Sequence, residues 1–257
     1  MCPTIRVFDI DIPTFPLILL LDVFICVLVF IFSPKYKKPI NLSILKVFAL
    51  MVITAGVGGR ILSAIILTIT GFNDNFFENL FFGASVFYGG LLLSILVLFI
   101  YCRIKKQSFI SFTDLFATIL PLGQAIGRFG CFLNGCCYGI EYNGFLSIDY
   151  NINGKIVPTF PTWFLEAFLC LALFFYFQIV SKNLKKGYYT LCYLIYYPTI
   201  RFFIEFFRGD SVRGIFGILS TSQIISIIII IACIPFIIIY NKRKVFLLNN
   251  IFFNSNK

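Results

Sequence analysis

The chain has 257 residues, of which 60% are hydrophobic and only 12% are charged, and its mean hydropathy is +0.96. Ordinary soluble domains carry about 25% charged residues, so this composition excludes a typical water-soluble protein. The formal net charge is +10, but the basic residues are gathered in short clusters between apolar blocks, which argues against a nucleic-acid-binding face. The sequence therefore predicts an integral membrane protein without a nucleic-acid partner.

Seven apolar segments approach the length of about 20 helical residues that crosses a bilayer core of about 30 Å. In chain order they cover approximately residues 16–32, 45–69, 83–101, 112–138, 162–180, 188–207 and 223–240. The fourth contains Asp114, Pro121 and Arg128 and is too polar to face lipid on all sides, so we expect it to be broken and packed inside the protein. The fold prediction is an all-α integral membrane protein with about seven transmembrane helices, forming a single transmembrane domain over residues 1–257.

The basic residues between these segments predict the orientation of the chain. Every second connection is basic, whereas the alternate connections are almost free of Lys and Arg. The basic clusters are Lys35, Lys37 and Lys38; Arg103, Lys105 and Lys106; Lys182, Lys185 and Lys186; and Lys242, Arg243 and Lys244. Because basic connections stay in the cytoplasm, the N-terminus is predicted outside and the C-terminus in the cytoplasm. The polar, turn-prone stretch 141–159 is then an external loop.

Ionisable residues are rare within the apolar segments, and by default such residues mark a site or an ion pair. They are Asp22, Arg60, Asp114, Arg128, Glu166, Arg201 and Glu205. Arg201 and Glu205 are four residues apart and can pair on one helix face, with Tyr197 one turn earlier. Arg208, one turn later, is expected near the outer boundary. Arg128 lies in a glycine-rich segment, where a ligand can approach the backbone closely.

Several arginines at one depth suit an anionic head group, because guanidinium binds phosphate through two parallel hydrogen bonds and stays charged. The structural alternative is that Arg201 and Glu205 only stabilise the helix, while Arg60 reaches an interface. Taken as a set with Arg128, the arginines favour a binding function.

Nine cysteines and no histidine occur in the sequence. Cysteines in or beside the apolar segments serve as small hydrophobic residues, namely Cys26, Cys102, Cys170, Cys192 and Cys233. Cys131, Cys136 and Cys137 are clustered, and their thiols could be a nucleophile or an oxidised pair, a metal site, or close packing. Since a C-x4-C-C spacing without histidine is not a recognised zinc pattern, neither a metal nor another cofactor is predicted.

The run from Gly127 to Gly139 reads G-R-F-G-C-F-L-N-G-C-C-Y-G. It resembles the signature of the bacterial prolipoprotein diacylglyceryl transferases, which has the form G-R-x-G-N-F-x-N-x-E-x-x-G. Further matches in the same order are Asp11-Ile12-Pro13, Gly58-Gly59-Arg60, Gly89-Gly90-Leu91, Asp114, Gly123-Gln124-Ala125-Ile126, Pro161-Thr162 with Glu166, the run Arg201 to Arg208 with Asp210, and Ser222-Gln223. The resemblance therefore extends over most of the chain.

This resemblance implies an enzyme of lipoprotein maturation in the bacterial cytoplasmic (inner) membrane. It would transfer diacylglyceryl from phosphatidylglycerol to a lipobox cysteine thiol and release glycerol phosphate. The implied partners are phosphatidylglycerol, the signal-peptide region of a prolipoprotein and membrane lipids. The implied catalytic residues are Arg128, Arg201, Tyr197 and Tyr88, and the implied substrate-binding residues are Arg60, Gln124, Asn134, Glu205 and Arg208.

Three positions depart from the family pattern. Tyr88 stands where the family usually has histidine, and Cys131 and Cys136 stand at the asparagine and glutamate of the signature. The phosphate-handling residues match, whereas part of the set that handles protons has changed. Since the attacking group is a thiolate and no histidine is present, Tyr88, Tyr197 or Glu205 must help to remove the thiol proton, or the arginines alone must lower the thiol pKa.

Three other functions fit the same residues. A divergent transferase would use the same lipid donor with another acceptor. A thiol-redox membrane protein would use Cys131, Cys136 and Cys137. A lipid-binding or transport protein would bind the lipid without forming a product.

Overall fold

The computed structural model describes residues 4–7, 10–32, 42–69, 75–82, 87–152, 154–180, 186–210, 215–216 and 219–254. Most of them are helical, as the apolar segments predict. In chain order the helices are α1 (Thr14–Phe32), α2 (Leu42–Ile69), α3 (Phe76–Phe82), α4 (Phe87–Ile104), α5 (Phe109–Ala117), α6 (Leu120–Leu133), α7 (Thr162–Ile179), α8 (Tyr188–Ile204) and α9 (Thr221–Asn254). A 3-10 turn, Glu205–Phe207, continues α8.

Short antiparallel hairpins accompany the helices. They pair β1 (Thr4–Val7) with β2 (Ile10–Pro13), β3 (Ile148–Ile152) with β4 (Lys155–Thr159), and β5 (Ile215–Phe216) with β6 (Leu219–Ser220). The β3–β4 hairpin lies in the stretch 141–159, where the sequence predicts a turn-prone loop. The composition of this stretch does not reveal that its two strands pair. The sequence feature that indicates the hairpin is the Asn-Gly dipeptide between the two strands, which is typical of a hairpin turn.

Four helices are long and apolar enough to cross a membrane, over Thr14–Phe32, Ile44–Ile69, Thr162–Ile179 and Thr221–Ile238. A fifth candidate is the α5–α6 pair, whose two helices meet at an angle of 44°. The described residues thus form a helical membrane protein with four or five candidate spans, and the predicted count of seven stays a prediction. The last helix is longer than predicted, because α9 continues to Asn254.

The break between α5 and α6 confirms that the fourth apolar segment is interrupted. Pro121 is the second residue of α6. Proline has no backbone N–H and disfavours helical geometry at the residue before it, so a helix readily begins at a proline in its first turn. The break lets α6 take its own direction, and α6 carries Arg128.

The chain divides into two compact units, one covering Phe30–Phe112 and the other Met1–Val29 with Thr113–Lys257. Within the Phe30–Phe112 unit, α2 and α4 approach closely where Gly58 faces Gly89. A Cβ on Gly58 would lie 2.5 Å from the Gly89 carbonyl oxygen, so neither position has room for a side chain. The hydroxyls of Thr54 and Ser94 hydrogen-bond across the same pair at 3.1 Å. Small residues of this kind allow close helix packing in membranes.

In the other unit, α6 packs on α7, and α8 packs on α7 and α9. Ala125, Ala167 and Cys170 form a buried cluster between α6 and α7, with Tyr197 of α8 packed against it. Asp114 of α5 accepts hydrogen bonds from the N–H of Thr190 at 2.9 Å and from its hydroxyl at 2.8 Å. It thereby satisfies the exposed donors of the first turn of α8 and fixes where that helix begins.

Candidate active site

A chain of alternating arginines and carboxylates runs through the Met1–Val29/Thr113–Lys257 unit. Its members are Arg128 on α6, Glu166 on α7, Arg201 on α8, and Glu205, Arg208 and Asp210 beyond the end of α8. We call this set the ion-pair chain. Its three guanidinium groups and three carboxylates balance in charge, as burial in a low-dielectric environment requires.

Glu166 joins the first two arginines. One carboxylate oxygen accepts a hydrogen bond from Nη2 of Arg128 at 2.7 Å, and the other accepts one from Nη1 of Arg201 at 3.0 Å. The side chain of Glu166 is 3% exposed, whereas those of Arg128 and Arg201 are 18% and 11% exposed. The Glu166 side chain is therefore more deeply buried than either arginine, and Arg128 is the more exposed of the two arginines.

Glu205 and Asp210 hold the other end of the ion-pair chain. Nη2 of Arg201 lies 2.9 Å from Oε2 of Glu205, which confirms the pair predicted from their spacing. Nη1 of Arg208 lies 3.7 Å from the same oxygen, and its Nε donates to Oδ1 of Asp210 at 2.8 Å. Although burial alone lowers the pKa of Arg208, its hydrogen bond to Asp210 raises the pKa overall. Arg208 is therefore a fixed cation.

Helix periodicity explains which residues share the faces of α6 and α8. Gln124 and Arg128 lie one turn apart on α6, and the side chain of Gln124 hydrogen-bonds Tyr193 of α8. On α8, Tyr193, Tyr197 and Arg201 follow each other at intervals of four, and the two tyrosine rings stack with centroids 5.5 Å apart. Tyr197 is consequently held beside the arginines, as predicted.

The start of α9 completes the surroundings of Arg201. Ser220 and Gln223 form a capping box, in which the N–H of Ser220 donates to Oε1 of Gln223 at 2.9 Å and the N–H of Gln223 donates to Oγ of Ser220 at 3.2 Å. This cap fixes the first turn of α9, where Oγ of Ser222 accepts a hydrogen bond from Nη2 of Arg201 at 3.4 Å.

Cys131, Cys136 and Cys137 form a second cluster, which we call the thiol trio. Their sulfur atoms all lie within 4.8 Å of one another, and all three are free thiols. The Asn134 side chain hydrogen-bonds the Cys136 thiol. Cys137 also lies within the electrostatic influence of Arg128 and Arg208.

The two remaining predicted site residues belong to the Phe30–Phe112 unit. Nη1 of Arg60 donates to the carbonyl oxygen of Phe81 at 2.5 Å. Tyr88 falls within α4, but its side chain lies outside the described residues.

Glu166 is a member of the ion-pair chain that the sequence-based site set leaves out. The sequence does show that Glu166 is an ionisable residue inside an apolar segment, where burying its charge is energetically unfavourable. It does not show which residues pair with Glu166, because these partners come from two other helices. Asp210, which the set also omits, follows Arg208 by two residues and pairs with it.

The ion-pair chain is a charged centre within a helical membrane protein, where two guanidinium groups share one carboxylate and the Arg128 side chain is 18% exposed. A family model described as prolipoprotein diacylglyceryl transferase matches residues 4–239. The chain belongs to the prolipoprotein diacylglyceryl transferase family.

Curated relatives agree with this membership. The chain is 39% identical over 164 residues to the phosphatidylglycerol–prolipoprotein diacylglyceryl transferase of Finegoldia magna, covering 63% of this chain and 63% of the relative. It is 37% identical over 201 residues to phosphatidylglycerol–prolipoprotein diacylglyceryl transferase 2 of Clostridium perfringens, covering 76% of this chain and 77% of the relative. The match to the Finegoldia relative thus spans somewhat less than two thirds of that protein.

Proposed function

We propose that this chain is a phosphatidylglycerol–prolipoprotein diacylglyceryl transferase of lipoprotein maturation. Membership of the family and the names of the relatives support the proposal. The observation that carries it is the carboxylate of Glu166 holding Arg128 and Arg201 together. Such an arrangement suits a reaction that builds negative charge on a phosphate group.

The reaction forms one bond and breaks another. The thiolate of the lipobox cysteine attacks the glyceryl carbon that bears the phosphate ester. A C–S bond forms, the C–O bond breaks, and its electron pair leaves with glycerol phosphate. Because the leaving phosphate gains negative charge, guanidinium groups already fixed beside it lower the barrier.

Arg128 and Arg201 have different parts in this proposal. In the described residues the guanidinium of Arg128 hydrogen-bonds Glu166 through Nη2, which leaves further donors for the lipid phosphate. Arg201 is engaged by Glu166, Glu205 and Ser222 together. Arg128 therefore contacts the phosphate, and Arg201 sets the local field and holds Glu166 in place. Arg60 would add a further cation for the head group.

The thiol must lose its proton without a histidine, since the sequence has none. Tyr197 lies within the electrostatic influence of Glu166, Arg128 and Arg201. In this proposal Tyr197 orients the thiol, the arginines stabilise the thiolate, and the thiol proton is released to solvent. Tyr88 orients the donor or the acceptor. The remaining substrate-binding residues are Gln124 and Asn134, which supply hydrogen bonds, and Glu205 and Arg208, which hold the end of the ion-pair chain.

The same proposal places the enzyme in the bacterial cytoplasmic membrane as a single multi-pass domain over residues 1–257. It has seven helices, an external N-terminus and a cytoplasmic C-terminus. The alternation of basic and non-basic connections supports this orientation. Phosphatidylglycerol enters from the surrounding lipid, and the signal-peptide region of a prolipoprotein supplies the thiol.

A second candidate is a transferase with the same donor and another acceptor. It is favoured by the cysteines at positions 131 and 136, where the family signature has asparagine and glutamate. The lipid-handling residues would be unchanged, so only the acceptor product separates the two candidates.

The test is an assay of the purified protein with labelled phosphatidylglycerol and a lipobox peptide. We expect glycerol phosphate and a thioether-linked diacylglyceryl peptide in equal amounts. Glycerol phosphate without modified peptide would support the second candidate. Lipid binding without either product would refute both, and the lipid-binding alternative would replace them.

A further inference from the structure

We propose that the thiol trio, Cys131, Cys136 and Cys137, binds one Cu⁺ ion as a three-thiolate site. The proposal concerns binding and is independent of the transferase reaction. Metal–thiolate bonds of about 2.3 Å in a planar three-coordinate site place the sulfur atoms about 4 Å apart. The three sulfur atoms all lie within 4.8 Å of one another, which is close to that spacing.

The backbone after α6 brings the three thiols to one point. Gly135 and Cys137 both have positive φ angles, of 71° and 59°. This conformation is unfavourable for a residue with a side chain, so the turn at Cys137 is held by its surroundings. The hydroxyl of Thr162 donates to the carbonyl oxygen of Cys137 at 2.8 Å, and the N–H of Cys136 donates to the carbonyl oxygen of Cys131 at 3.1 Å.

Charged groups surround the thiol trio. Cys137 lies within the electrostatic influence of Arg128 and Arg208, whose guanidinium groups attract the negative charge of a thiolate. Cys131 is in the last turn of α6, where the helix dipole favours a positive ion. Each thiol releases its proton to solvent on binding, so the step needs no oxidant or reductant.

Tyr150 provides an independent observation. It is 1% exposed, and within the described part of the chain its hydroxyl has no hydrogen-bond partner. Buried hydroxyls rarely lack a partner. The same tyrosine lies within the electrostatic influence of all three cysteines. A hydrogen bond from its hydroxyl to a metal-bound thiolate would satisfy the donor and support the site, as groups around metal ligands commonly do.

The ligand set favours Cu⁺ over zinc and over a disulfide. Soft thiolates bind Cu⁺ and Zn²⁺, but zinc takes a fourth ligand in nearly all protein sites. Among the described residues the ligand group consists of three cysteines, and the sequence contains no histidine. A disulfide would use two of the thiols, require an external oxidant and leave the third thiol unpaired.

The test is a titration of the reduced, detergent-purified chain with Cu⁺ under anaerobic conditions, against a chromogenic Cu⁺ chelator and without lipid or peptide. We expect one tightly bound Cu⁺ per chain and three sulfur ligands by X-ray absorption. Serine at any one of the three positions should weaken binding by at least about 100-fold, and Tyr150→Phe by about tenfold. Zn²⁺ should displace Cu⁺ from the thiol trio only weakly.

Cys233→Ser is the matched control, because Cys233 is a buried cysteine on α9 outside the thiol trio, and its Cu⁺ affinity should equal that of the wild type. Tyr150→Phe retains all three ligands, so it keeps the proposal testable if a serine variant fails to fold. Equal Cu⁺ affinity in Cys137→Ser and wild type would overturn the proposal. So would tighter binding of Zn²⁺, or a disulfide that persists in the reduced protein.

Discussion

Two helix contacts in this molecule are built by opposite means. In the Phe30–Phe112 unit, α2 and α4 meet because glycines remove the side chains between them. In the other unit, α6, α7 and α8 meet around Glu166 and its two arginines. The first contact gains close packing and buries no charged group, since its polar contact joins the neutral hydroxyls of Thr54 and Ser94. The second buries charge at a cost, which is characteristic of a functional site in a membrane.

The largest stability effect should come from Glu166→Gln. The variant keeps the shape of the side chain but removes the charge that Arg128 and Arg201 share. Breaking a buried ion pair in this way costs about 3 kcal/mol. Displacing the arginines should also reduce transfer by about 100-fold.

Thermal unfolding can be followed by tryptophan fluorescence, because the single tryptophan, Trp163, stacks on Phe132 of α6 at 4.4 Å. Glu141→Gln is the matched control, since Glu141 is exposed and lies outside the ion-pair chain. Equal stability of the two variants would show that Glu166 does not hold α6 and α8 together.

Gly89→Ala should disrupt the glycine contact. The added Cβ would lie 2.3 Å from the carbonyl oxygen of Gly58, so α2 and α4 must separate. We expect a loss of about 1–3 kcal/mol of stability, as for other overpacked sites.

The control for this substitution is Gly56→Ala in α2. Among the described residues nothing lies within 4 Å of a Cβ at Gly56, so alanine should be neutral or slightly stabilising there. Thermal stability measured in detergent compares the two variants. Equal thermal stability of Gly89→Ala and Gly56→Ala would contradict the close approach of α2 and α4.

Asp114→Ala should have a smaller effect, of about 1 kcal/mol. It removes the acceptor for the N–H and the hydroxyl of Thr190 at the start of α8. Hydrogen exchange should show faster exchange in the first turn of α8 and unchanged exchange around Arg201. Asp149→Ala, at an exposed position in β3, should leave both regions unchanged.

Ser222→Ala should have the smallest effect of the set. Its hydrogen bond with Arg201 is long, at 3.4 Å, and Arg201 keeps two carboxylate partners. We expect turnover to fall by less than about threefold, the equivalent of well under 1 kcal/mol. A tenfold loss in steady-state turnover would mean that Ser222 acts on the substrate directly.

The sequence predicts the features that depend on local spacing. Apolar length predicts the helices, Pro121 accompanies the break before α6, and an interval of four predicts the pairing of Arg201 with Glu205. Glu166 is 38 residues from Arg128 and 35 from Arg201, so its bridging role requires the packed helices. The thiol trio likewise depends on positive φ angles at Gly135 and Cys137 that spacing does not reveal.

The proposed transfer reaction depends most on Arg128, as the group that binds the lipid phosphate. The direct measurement is glycerol phosphate release from labelled phosphatidylglycerol by the wild type, Arg128→Ala and Arg103→Ala, the last at the end of α4 outside the ion-pair chain. We predict a loss of at least about 1,000-fold in Arg128→Ala with its fold retained, and wild-type release in Arg103→Ala. Wild-type release by a folded Arg128→Ala variant would show that Arg128 does not bind the lipid phosphate.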